Sequence, residues 1–135
     1  MAEPSWMFDW DGKGGSGFRG CRAVHDSDDL ASVLAMRDPG GDAEFHLHRP
    51  SVDYPVLFLH VHADRWYLYF FPDEDEAGAF AVGDDPGAAG STRMPAGCDI
   101  EVGNGSLVSG EIALRVAAEF MATVERPDSV EWVDM

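Results

Sequence analysis

Apolar residues fall in two rhythms along this chain, and the change from one to the other marks its elements. Trp6, Phe8 and Trp10 alternate with other residues in the period-two pattern of a strand. Asp11 to Gly17 is a Gly-rich turn, and Phe18 to Val24 reads as the returning strand. From Asp26 to Met36 the rhythm becomes helical. Asp26 or Ser27 caps the segment, Asp28 and Asp29 fill its first turn, and Leu30, Val33 and Leu34 face inward. Asp38-Pro39-Gly40-Gly41 ends it.

Period two then returns. Ala43 to His48 alternates, Pro55 to His62 is β-branched and apolar, and Ala63-Asp64-Arg65 makes a short hairpin loop into Trp66 to Phe71. The last two runs are apolar on both faces, which predicts central strands. Pro72-Asp73-Glu74-Asp75-Glu76 breaks the pattern before a shorter strand, Ala77 to Val82. Gly83 to Gly97, rich in Gly, Ala, Pro and Asp, predicts a mobile loop; Cys98 to Val102 is a further strand and Gly103-Asn104-Gly105 a turn. Near the close, Ile112, Val116, Phe120 and Val124 recur every four residues, with Ala113, Ala117 and Met121 beside them. That spacing lays one apolar stripe along a helix, capped by Ser109 and stopped by Pro127; Val130 to Val133 is a last strand.

Hairpin, helix, antiparallel strands, long helix and strand together predict an α+β fold. It is a two-layer sandwich in which a mostly antiparallel sheet carries two helices on one face. Residues 1–135 form one domain with no internal boundary. The second sheet face is expected to be exposed, a natural place for a partner.

Composition narrows the functional classes. Hydrophobic residues make up 45% of the chain and aromatics 11%, which excludes a disordered acidic tail. The formal net charge is −16, from 25 Asp and Glu against 9 Lys and Arg. Such a surface repels DNA, RNA and anionic membranes and favours a basic protein partner. Cys21 and Cys98 are the only cysteines and build no disulfide framework, so reduced thiols are expected. No secretory signal and no membrane-length apolar run is visible, and a cytoplasmic location is expected.

Four constellations bear on chemistry. His46 and His48 on one strand, and His60 and His62 on the next, form two HxH pairs; residues two apart share a face, so each pair can converge on a metal. The alternative is that they are the outward positions opposite Phe45, Leu47, Leu59 and Val61. Asp73-Glu74-Asp75-Glu76-Ala77-Gly78, running on to Asp84, begins like an EF-hand loop. It lacks the fifth ligand and the closing Glu, so it reads as a solvated acidic loop or one that meets a basic partner. Gly12-Lys13-Gly14-Gly15-Ser16-Gly17 formally matches GxGxxG but opens no helix. There is no GxSxG elbow and no zinc-deaminase signature, so no catalytic residue and no cofactor is assigned. In the aromatic run, Trp66, Leu68 and Phe70 share one face, while Tyr67, Tyr69 and Phe71 share the other. The tyrosine face has the composition of a protein interface, or else lies under a helix.

Three segments carry a resemblance. The closing IALRVAAEFMATVERPDSVEW (112–132), with Arg126-Pro127 and Trp132, resembles the carboxyl terminus of the bacterial immunity-protein family numbered first, the Imm-one type. PVLFLHVHADRWYLYFF (55–71) is similar to that family's central hairpin, and DSDDLASVLAM (26–36) to its early helix. The resemblance implies a non-catalytic inhibitor that neutralises a cognate toxin of a polymorphic toxin system inside the producing cell. It further implies a nucleic-acid-modifying toxin, a nuclease or a cytosine deaminase acting on DNA, whose basic groove an acidic inhibitor can block. The expected contacts are Asp73, Glu74, Asp75, Glu76, Asp84 and Asp85, with Tyr67 and Tyr69 as anchors. Two other classes stay open: a small metal-binding enzyme or sensor using His46, His48, His60 and His62, and an adaptor that escorts an effector to export.

Overall fold

The computed structural model describes residues 6–97 and 99–135. A seven-stranded sheet dominates it, built from β1 (Trp6–Asp11), β2 (Arg19–Val24), β3 (Asp42–His48), β4 (Val56–His62), β5 (Arg65–Phe71), β6 (Ala79–Ala81) and β9 (Trp132–Asp134). Their spatial order is β2-β1-β3-β4-β5-β6-β9, and every neighbouring pair is antiparallel. A second sheet is the two-stranded hairpin of β7 (Ser91–Met94) and β8 (Ile100–Gly103). The helices α1 (Ser27–Leu34) and α2 (Gly110–Thr123) pack on one face of the large sheet, as the two-layer expectation has it.

The helix-covered face is dry. Phe8, Phe45, Leu47, Leu59 and Leu68 from the strands meet Leu30 and Val33 of α1 and Val116 and Phe120 of α2, all essentially without solvent contact. Phe120 sits in the middle, its ring centroid 5.0 Å from that of Trp6 and 5.6 Å from that of Phe70. Burying one such side chain stabilises the fold by roughly 1.5–3 kcal/mol. The apolar runs of β4 and β5 take the centre of the sheet, covered by the helices on one face and in part by the β7–β8 hairpin on the other.

Both helix starts follow their sequence signals. The Asp26 carboxylate accepts from the Asp29 N–H at the head of α1, and the Ser109 hydroxyl accepts from the Ile112 N–H at the head of α2. The end of α2 departs from expectation. Pro127 does not stop it; Val124 does, by turning left-handed at φ 58 while its N–H reaches the Phe120 carbonyl. The Glu119 carboxylate then accepts from the N–H groups of Asp128 and Ser129 and from the Ser129 hydroxyl, and these bonds hold its pKa below the ordinary range. Trp132 Nε1 donates to the Pro127 carbonyl at 2.6 Å. The closing Arg-Pro…Trp motif is thus a buckle that seats β9 against α2.

Two expectations need correction. Gly83 to Gly97 is not simply a mobile loop, because it contains β7, anchored by the buried Met94. The second sheet face is also not simply exposed: the β7–β8 hairpin lies across part of it and forms a satellite core of Tyr67, Met94, Val102 and Leu107. Cys98 lies outside the described residues. Among the described residues, no helix is long and apolar enough to cross a membrane.

Candidate functional site

Strand alternation puts the chemically interesting residues together on the face away from the helices. Register pairs Glu44 with His60 and His46 with Phe58 across β3 and β4, then His60 with Tyr67 and Phe58 with Tyr69 across β4 and β5. Glu44, His46, Phe58, His60, Tyr67, Tyr69 and Phe71 therefore share one face. Its inner part is buried by the hairpin; Glu44 is 2% exposed and His60 4%.

The closeness of that cover is fixed at Gly97, at the hairpin's tip. A Cβ there would fall 1.4 Å from Glu44 Oε2, and the residue has φ +60. Only glycine passes over the carboxylate at this distance and in this conformation. Beneath it, Glu44 Oε1 lies 3.4 Å from His46 Nε2 and 3.3 Å from His60 Nε2. The other two histidines go elsewhere. His48 Nε2 meets the Asp9 carboxylate at 2.9 Å, and His62 Nδ1 meets that of Asp42 at 2.6 Å.

The HxH pairs are thus split. Their inner members share Glu44, while each outer member has its own carboxylate. The outward reading fits His62 and fails for His60, which is buried. Among the described residues, no group of three or more His, Cys, Asp and Glu is arranged to hold a metal ion. Burial, helped by the neighbouring His46 and opposed by Glu44, lowers the His60 pKa to about 4. The Tyr67 hydroxyl is pushed up to about 12 by burial and then by Tyr69. At neutral pH, His60 is an uncharged imidazole and Tyr67 an uncharged phenol, so neither is tuned for proton transfer. Burial also depresses His48, but the Arg49 carbonyl and the Asp9 carboxylate outweigh it and raise its pKa.

Outward from the covered triad, the face becomes an aromatic ladder. The His46 ring stacks on Phe58 with centroids 4.1 Å apart, Phe58 meets Phe71 edge-on at 5.3 Å, and Tyr69 and Phe71 are 4.5 Å apart. Phe58, Tyr69 and Phe71 are only partly buried. A groove of about 330 Å³ runs between this ladder and the hairpin, walled by Ile100, Glu101 and Val102, with Met135 at its side. Sequence reading named Tyr67 and Tyr69 but not Phe58, Ile100, Glu101 or Met135. The alternation of β4 carried the signal for Phe58, two residues from His60 on the same face. The hairpin residues carried no signal.

The six acidic residues expected to touch a partner fall into two groups. Asp73 to Glu76 form an exposed loop in which Asp73 Oδ1 accepts from the N–H groups of Asp75 and Glu76. Asp84 and Asp85 lie at the other end of β6, where the Asp84 N–H donates to the Leu107 carbonyl; Asp84 Oδ2 accepts from the Ser109 N–H and supports the start of α2. The Gly-rich segment is the β1–β2 turn and leads into a strand, held by the Lys13 N–H to Asp38 and the Gly97 N–H to the Gly12 carbonyl.

The excess of anions over cations is not offset locally. Arg19, Arg22, Arg93, Arg115 and Arg126 are each paired with a carboxylate, and Arg37 donates to the carbonyls of Leu34 and Met36 while lying over the Trp66 ring. The family model described as immunity protein Imm1 matches residues 20–134, which spans nearly all of β2 through to β9. No curated protein matches the chain.

Proposed function

This chain belongs to the Imm1 family of immunity proteins, and on that premise we propose that it neutralises one cognate toxin by stoichiometric blockade in the cytoplasm of the producing cell. The toxin is a basic, nucleic-acid-modifying domain, a DNA cytosine deaminase being the first candidate and a nuclease the next. The protein makes no direct contact with nucleic acid or membrane, turns over no substrate and needs no cofactor. The observation that carries this reading beyond the family is the net charge of −16, with most arginines already engaged internally. A toxin that grips DNA needs a cationic groove, and a folded polyanion competes for that groove.

Asp73, Glu74, Asp75 and Glu76 supply the exposed part of the attraction, and Asp84 and Asp85 add to the field from the far end of β6. Tyr69 anchors from the open part of the aromatic face, and Tyr67 supports it from beneath. Opposite fields raise association rates toward about 10⁸ M⁻¹s⁻¹ at low salt, and a tight complex of this kind buries roughly 1,600 Å² in total.

Co-expression with the toxin domain encoded beside the gene tests the proposal. Growth is expected to be rescued, and the purified pair to form a one-to-one complex without deaminase or nuclease activity. Failure to protect against any neighbouring toxin, or turnover of a small molecule by the purified protein, overturns it.

A further inference from the structure

We propose that the groove between β5 and the β7–β8 hairpin seats the toxin's main anchor. The anchor is an apolar or aromatic side chain carried between lysines or arginines on a basic segment of the toxin domain. This deepens the immunity reading above and rests on it.

Three observations converge on the groove. First, it is where this polyanion shows apolar surface. Val133 and Met135 are 42% and 60% exposed, two of the three large hydrophobic residues that are so open among the described residues. Val133 pairs in register with Phe80 on the same sheet face, beside the half-open Tyr69 and Phe71. Second, the groove is held ready. Its floor rings are locked against one another at 4.5–6.4 Å, and the hairpin wall is fixed by the buried Met94 and Val102. Rings fixed in advance lose little conformational freedom when a partner lands, which is how aromatic anchors contribute most of an interface's affinity.

Third, the rim carries the charge that selects the partner. The acidic loop leaves the sheet at Phe71 and rejoins it at Gly78, where a Cβ would stand 2.6 Å from the Tyr69 ring. The exposed Glu101 stands on the groove's hairpin wall, and the acidic loop begins just after the floor residue Phe71, its Glu76 lining a neighbouring cleft with Phe70, Gly78 and Arg126. No lysine or arginine is among the described residues lining it. An uncharged aromatic floor with Glu101 on its wall, in a chain of net charge −16, fits an apolar knob flanked by cations; it repels an acidic segment and leaves an isolated lysine without a partner at the bottom.

The test is affinity of the full-length protein for the toxin domain encoded beside it, measured by biolayer interferometry. Met135→Arg places a cation at the groove's side without touching the core, and Tyr69→Ala removes a floor ring. Ala31→Arg, on the exposed surface of α1, makes the same charge change as Met135→Arg on the helix face. Each groove variant is expected to weaken binding roughly 30-fold or more, and Ala31→Arg by no more than about twofold. If Tyr69→Ala does not fold, Met135→Arg decides. Tight binding by the unaltered protein with equal small effects of all three variants sinks the groove and leaves the immunity reading standing. Dimerisation of the free protein that Met135→Arg abolishes assigns the groove to a second copy and also overturns the inference. An unaltered protein that neither binds nor protects removes both.

Discussion

The two faces of the sheet bury their side chains by different means. Under α1 and α2 the contact is wholly apolar, large residues interlock, and burial is complete. Under the β7–β8 hairpin the same strands turn inward a carboxylate, an imidazole and a phenol, and the cover is a short two-stranded ribbon touching them through Met94, Val102 and Gly97. A fold draws cooperativity from the first kind of face. The second kind gives a shaped surface, partly shut and partly open, at the cost of desolvating polar groups. That division suits an inhibitor, which needs one rigid face to hold the other in position.

The largest expected effect tests the dry face. Phe120→Ala removes the ring shared by Trp6 and Phe70, and it is expected to lower stability by about 3–5 kcal/mol in chemical denaturation. A loss under 1 kcal/mol breaks the comparison, because the helices would then not be what holds the sheet.

Next comes the polar face, through pH. His60 binds its proton near 6.5 when unfolded and near 4 when folded. Its contribution is therefore fully present above pH 6.5 and is lost as pH falls through that window toward 4, a change on the order of 3 kcal/mol. The groups that meet it are Glu44 and His46 on β3 and Tyr67 on β5. His48 runs the other way. Its raised pKa adds stability below 6.5 that is lost as pH climbs through the folded value. His60→Gln is expected to flatten the acid limb of a Tm-against-pH curve while leaving the opposite trend of His48. An unchanged acid limb in that variant refutes the assignment.

The dry face was far more legible in sequence than the polar one, for a physical reason. Ile112, Val116 and Phe120 and the alternation of Phe45 with Leu47 follow element periods, so each position declares its side. The histidines of β3 and β4 follow the same period, but nothing within five residues says what covers them. Their cover comes from residues 91 to 103, a Gly-, Pro- and Asp-containing stretch whose four-residue strands are too short to set up a period. Met94 is buried by contact across more than twenty residues of sequence, with Tyr67 on β5. Thus His60 reads as an outward position and is buried, and of the tyrosine face, read as a protein interface or as lying under a helix, Tyr67 is covered by the ribbon while Tyr69 stays partly open. Val124 misleads for a related reason: it keeps the helical spacing while its backbone has already left the helix.

A smaller change sharpens the contrast at its closest contact. Gly97→Ala drives a methyl group into the Glu44 carboxylate and imposes a left-handed φ on alanine. The tip of the hairpin has to lift. The cost is about 1–3 kcal/mol and is confined to the polar face. Amide exchange of β7 and β8 is expected to quicken while that of α2 stays slow. Equal acceleration in both elements means that the two faces unfold as one unit and that the distinction between them is geometric only.

The smallest effect separates two explanations of what keeps the hairpin down. Arg93 on β7 donates to both carboxylate oxygens of Asp99, at 3.0 and 2.9 Å, and this pair is the conspicuous polar link within the ribbon. It raises the Arg93 pKa and lowers that of Asp99, in each case through the hydrogen bonds first, yet both side chains are open to solvent. Water and salt screen such a pair, and ordering a long arginine side chain offsets the attraction. Met94, next in the strand, points the other way and is 1% exposed among Tyr67, Val102 and Leu107. If apolar contact holds the ribbon, Arg93→Ala leaves Tm and hairpin amide exchange unchanged within error, while Met94→Ala speeds exchange across β7 and β8. A clear loss of protection in Arg93→Ala reverses that order. The ribbon would then be held by charge at its outer surface, and raising the salt concentration alone would begin to open the groove.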